Sequence, residues 1–146
     1  MNQALSQTEE IAKAAFGEIA VRFPHLQIVE ESDAPVELSL HLPIQDGLKH
    51  AVWLSLQNSD ELHLSIGHFW CEWFPCTDPA KVETFVDAVS GFLSGNYRSL
   101  EHYRGATCFK AQLQRQTANG WETIATWSRL RLPSFRKVVY RAVVNA

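Results

Sequence analysis

No apolar run in the chain reaches the roughly 18 residues that a membrane-spanning helix needs, so no membrane span is expected. The start, MNQALSQTEEIAKAAF, has no basic stretch leading into a long apolar one. A secretory signal is therefore not expected, and the chain reads as cytoplasmic. Walker A, GxGxxG, HExxH and GxSxG patterns are all missing, which removes the common sequence signatures of nucleotide, metalloprotease and hydrolase sites. No RRM aromatic signature, helix-turn-helix spacing or GXXG loop occurs either, and there is no internal repeat or low-complexity linker. Cysteine is scarce, with three residues at Cys71, Cys76 and Cys108. Zinc sites are usually read from C-x₂₋₄-C followed by a second pair of ligands. The group His63, His68, Cys71 and Cys76 lacks that second pair, so no metal and no cofactor are expected. Free cysteines among aromatics behave as small hydrophobes, and no local signature marks any of them as a nucleophile.

What is present suits one ordered domain spanning residues 1–146. The composition is 46% hydrophobic and 20% charged, which argues against a disordered chain. The net charge of -3 conceals a segregation. Residues 1–90 carry 14 acidic and 4 basic side chains, and residues 91–146 carry 2 acidic and 9 basic. Either the two parts fold against each other and their fields cancel, or they form opposed faces.

The hydrophobic periodicity predicts a helix over 7–22, opened by a Ser6–Glu9 capping box and closed by Pro24. His25 to Glu30 fits a first strand. Val36, Leu38, Leu40 and Leu42 then alternate with polar residues. The pattern recurs through Val52, Leu54 and Leu56 and again through Leu62, Leu64 and Ile66, which is an antiparallel meander. Asp78-Pro79 is an N-cap and N1 pair opening a second helix over 79–93, and Gly95-Asn96 closes it. Strands follow over 97–103, 106–115 and 121–132, the last bounded by Pro133. A two-residue Asn119-Gly120 turn makes paired residue numbers sum to 239 and sets Ile124, Thr126 and Ser128 on the core face. The C-terminal FRKVVYRAVVNA is open between a short helix and an edge strand, its apolar residues fitting a helical stripe somewhat better. The fold class is therefore α+β: an antiparallel, curved sheet with the N-terminal and central helices packed on one face.

Three residue groups stand out. On the polar side of the meander, Glu37, His41, Trp53 and His63 form a candidate ligand-binding patch, with Ser39 and Ser65 beside them. Phe69, Trp70, Trp73 and Phe74 fall within six residues. Alternation sends Phe69, Cys71 and Trp73 to one side of their strand and Trp70, Glu72 and Phe74 to the other. One side packs on the second helix, and the other needs a cover such as a partner surface. In the C-terminal part, Lys110, Trp127, Arg129 and Arg131 form a candidate basic patch with an aromatic among them. No catalytic residue is assigned. The reading is a small interaction domain of adaptor, chaperone or immunity type, with a protein partner or a homodimer and without nucleic acid or membrane. The alternative is a small-ligand-binding domain or minor enzyme with a polar pocket around His41, Trp53 and His63.

Overall fold

The computed structural model describes residues 3–130 and 135–146, with side chains from residue 7 onward; Arg131 and Pro133 lie outside the described residues. The N-terminal helix α1 (Gln3–Arg22) starts upstream of the expected cap, so Ser6 lies inside it. Its Ala12, Ala15, Phe16 and Ile19 are buried, the stripe that helical spacing requires. Two-residue β1 (Val29–Glu30) leads into β2 (Leu38–Leu42), β3 (Val52–Gln57), β4 (Glu61–Ile66) and β5 (Phe69–Trp73). These five strands form one antiparallel sheet in chain order. Leu40, Leu54, Leu64 and Cys71 lie opposite one another across it, as do Leu38, Leu56, Leu62 and Trp73. That inner face faces the core, and Leu54, Leu56, Leu62 and Leu64 are fully buried.

Helix α2 (Pro79–Leu93) has Asp78 at its N-cap, whose carboxylate accepts from the Ala80 N–H at 3.0 Å. It packs on β4, β5 and β6 and against α1. Phe85 meets Phe16 of α1 at 6.1 Å between ring centroids and Trp73 of β5 at 5.8 Å. The chain then forms β6 (Tyr97–Arg104), β7 (Thr107–Thr117), β8 (Gly120–Ser128) and β9 (Val138–Val144), a second antiparallel sheet in the order β8-β7-β6-β9. The fold class is α+β, with the strands divided between a five-stranded and a four-stranded sheet. One buried cluster joins both helices and both sheets, running from Ile19 through Leu64 and Phe92 to Leu113 and Val143.

One open alternative is decided and one local expectation is corrected. The C-terminal segment is strand β9, paired with β6 from Arg104↔Val138 to Arg98↔Val144. The free backbone edge of β6 and the β-branched Val138, Val139, Val143 and Val144 outweigh the helical stripe. Asn145 fastens its end: the amide donates to Leu93 O at 2.7 Å and Gly47 O at 3.0 Å and accepts from the Lys49 N–H at 2.9 Å.

The register of β8 also differs. Thr117 pairs with Gly120, so the turn is Ala118-Asn119 and the first pairs sum to 237. A shift of two residues keeps every side chain on its expected face. Between Thr123 and Ala125, however, Ile124 is passed over, and the sum becomes 238 from Leu113↔Ala125 onward. That bulge turns the rest of the strand over. Ala125 and Trp127 pack on the core, and Ile124 is 43% exposed. Trp127→Ala should therefore cost about 2–3 kcal/mol of unfolding free energy in a urea titration, and Ile124→Ala less than about 1. A larger loss from Ile124→Ala would contradict this register.

Candidate functional site

The outer face of the five-stranded sheet is built by the alternation that fills the core. In one cross-strand row stand His41, Trp53, Ser65 and Trp70; in the next stand Ser39, Ser55, His63 and Glu72. The residues are small in the middle and large around it. Ser39, Ser55 and Ser65 line the bottom of a hollow of about 350 Å³, with Trp53, Trp70 and His63 as its walls and Ala34 and Val36 at one end. Trp53 and Trp70 belong to strands two apart, which sets their backbones about 9.5 Å from each other. Each indole is braced by an imidazole. His41 stacks on Trp53 at 4.5 Å with 9° between planes, and His63 stacks on Trp70 at 5.3 Å and 19°. The indoles stay open, at 43% and 44% exposure.

The ligand-patch residues thus come together only in part. Trp53 and His63 line the hollow, whereas His41 lies outside it and supports Trp53 from behind. Glu37 is tied to the β3–β4 turn, accepting from the Ser59 N–H at 2.8 Å. The aromatic group divides as alternation requires. Phe69 and Trp73 join the core, while Trp70 and Phe74 are exposed on the outer side. The basic group is split by the β8 bulge: Lys110 pairs with Ser128 and turns away from the core, whereas Trp127 turns toward it.

Carboxylates stand beside the two imidazoles. Glu61 meets His63 Nε2 at 3.0 Å, and Glu31 lies 3.7 Å from His41 Nδ1. The Asn58 amide, and after it His63, hold the Glu61 carboxyl below its ordinary value. No lysine or arginine occurs in β1 to β5.

A second concavity lies at the seam between the sheets, and its central carboxylate, Glu101, escaped the sequence reading. The β4–β5 turn, Gly67-His68, sits against the inner face of β6. There Glu101, only 3% exposed, accepts the His68 N–H at 2.9 Å and the Tyr103 hydroxyl at 2.7 Å. Gly67 has φ +55°, and a Cβ there would lie 2.7 Å from Glu101 Oε2, so any side chain is strained and displaces the carboxylate. A cleft of about 650 Å³ opens beside it, lined by His50, Trp53, His68, Glu101, Tyr103 and Arg141. The signal for Glu101 was in the charge pattern: it and Glu122 are the two acidic residues after position 90, and Glu101 shares one face of its strand with Ser99 and Tyr103. Burial pushes Cys71 up to about 11 and also raises Cys76 and Cys108. None has the lowered value of a nucleophilic thiolate.

The chain matches no protein-family model, no curated protein and no solved structure, so the two concavities stand on their own geometry.

Burial, followed by the hydrogen bond and charge of Glu101, pushes Tyr103 from 10.0 up to about 12. The neutral phenol's contribution to stability is complete below the unfolded value and is lost as pH rises through the folded one. An absorbance titration at alkaline pH should show one phenol ionising near pH 12, and Tyr103→Phe should remove that phase. Persistence of the phase in the variant would contradict the assignment.

Proposed function

We propose that the chain is a protein-interaction module whose recognition surface is the outer face of the five-stranded sheet, and that its partner is a basic segment of another protein. The observation that carries this is the pairing of two open indoles with carboxylates beside their bracing imidazoles, on a sheet whose strands hold no lysine or arginine. Indole faces attract ammonium and guanidinium groups, Trp more strongly than Tyr or Phe. The hollow of about 350 Å³ is the size of one long basic side chain with its neighbours, and its serine hydroxyls accept hydrogen bonds from such a head group. Glu61 and Glu72, on the same face, supply opposite charge, and the -10 balance of residues 1–90 steers a cation toward it.

A different protein fits this surface better than a second copy. Arg98, Arg104, Lys110, Arg115 and Arg141 of the same chain belong to the other sheet. A single contact from one sheet to the other is heterologous and builds rings or filaments.

The test is titration of the chain with a fluorescently labelled hexa-arginine peptide at low and moderate salt. Trp53→Ala and Trp70→Ala should each weaken binding by about tenfold or more. Their side chains stand open to solvent, so both variants should remain folded. Glu61→Gln with Glu72→Gln should weaken binding and flatten its salt dependence. Equal binding by the tryptophan variants would contradict the surface. Binding of a neutral oligosaccharide such as cellohexaose in place of the peptide would replace the protein partner with a small ligand.

A further inference from the structure

The structure assigns a second site at the seam: we propose that His68, Glu101 and Cys108 together bind one transition-metal ion of the zinc class. These residues come from the β4–β5 turn, from β6 and from β7, and their ligand atoms all lie within 4.8 Å of one another. One nitrogen, one oxygen and one sulfur donor form the mixed set that zinc accepts at bond lengths of about 2.0–2.3 Å. Tetrahedral bonds of that length put neighbouring donors about 3.3–3.8 Å apart, so the three need to close by about 1 Å.

The surroundings are those of a metal centre. Glu101 and Cys108 are each 3% exposed, which shields two of the three bonds from water. Each Glu101 oxygen accepts one hydrogen bond, Oε1 from Tyr103 and Oε2 from the His68 N–H, and keeps a lone pair for an ion. The Tyr103 hydroxyl thereby fixes the carboxylate as outer partners of metal ligands do. The His68 ring is held between Tyr103, edge-on at 5.9 Å, and Trp127 at 6.4 Å. It is the exposed member of the three, at the mouth of the cleft. Binding breaks the Cys108 S–H bond, releases the proton to solvent and forms the metal–sulfur bond. Three protein ligands leave the fourth position to water or a small anion from the cleft that His68, Glu101 and Arg141 line. Spacing rules did not reveal this set, because its ligands are 33 and 7 residues apart on three elements.

The experiment is titration of the reduced chain with Co²⁺, followed by displacement with Zn²⁺. The expected result is a sulfur-to-cobalt charge-transfer band with tetrahedral visible bands, saturating at one ion per chain. Cys108→Ser should abolish the charge-transfer band, and His68→Ala should weaken Zn²⁺ binding by more than the roughly 10–100-fold typical of outer partners. Cys71→Ser should leave both signals intact. Glu101 also anchors the turn, so the Cys108 and His68 variants carry the test. Absence of the band at excess Co²⁺ would overturn the site, as would Zn²⁺ binding unchanged in both variants.

Discussion

One buried carboxylate ties the β4–β5 turn of the first sheet to β6 of the second, beside the apolar core that the two sheets share. Glu101 stands on the inner face of β6, where an unpaired charge would be costly, and takes hydrogen bonds from the backbone of the β4–β5 turn and from Tyr103. The turn approaches closely only because residue 67 has no Cβ. Both concavities depend on this contact. The β4–β5 hairpin carries His63, Ser65 and Trp70 on its outer side, so anchoring its tip also sets the far wall of the aromatic hollow. The seam cleft exists because the tip meets the second sheet beside Glu101.

Charge follows the same division. The acidic strands and the basic strands form separate sheets, and their inner rows share one apolar core. Glu101 is the buried acidic residue of the basic sheet, and Glu122 at the exposed end of β8 is bonded to Arg115. On the outer side of that sheet, Arg98 stacks over Trp121 at 4.2 Å and bonds Gln114, and His102 meets Gln112 and Tyr140. Trp121 is thus paired with a cation of its own chain, whereas Trp53 and Trp70 are stacked on imidazoles and keep an open face.

Elements set by local chemistry were legible in the sequence. The second helix follows from Asp78-Pro79 and the Val82 to Leu93 stripe, and the meander follows from strict alternation. Alternation also sorted Phe69 and Trp73 inward and Trp70 and Phe74 outward. Features that depend on non-local pairing were not legible. The Ile124 bulge moves Trp127 to the core face through one extra residue that no periodicity marks. The β9 assignment depends on a vacant edge of β6 far away in the chain. Of the candidate ligand patch, Trp53 and His63 were visible as neighbours on one face, but the serine-lined depth needed the register of four strands. Glu101 and Cys108 meet His68 only after both sheets have formed.

The most direct measurement is a ¹H–¹⁵N correlation spectrum of the five tryptophan indole N–H groups during titration with the hexa-arginine peptide. The account predicts that the Trp53 and Trp70 signals shift together and saturate, while those of Trp73, Trp121 and Trp127 stay in place. Shifts confined to Trp121 and Trp127 would move recognition to the second sheet and contradict the assignment of the outer aromatic face.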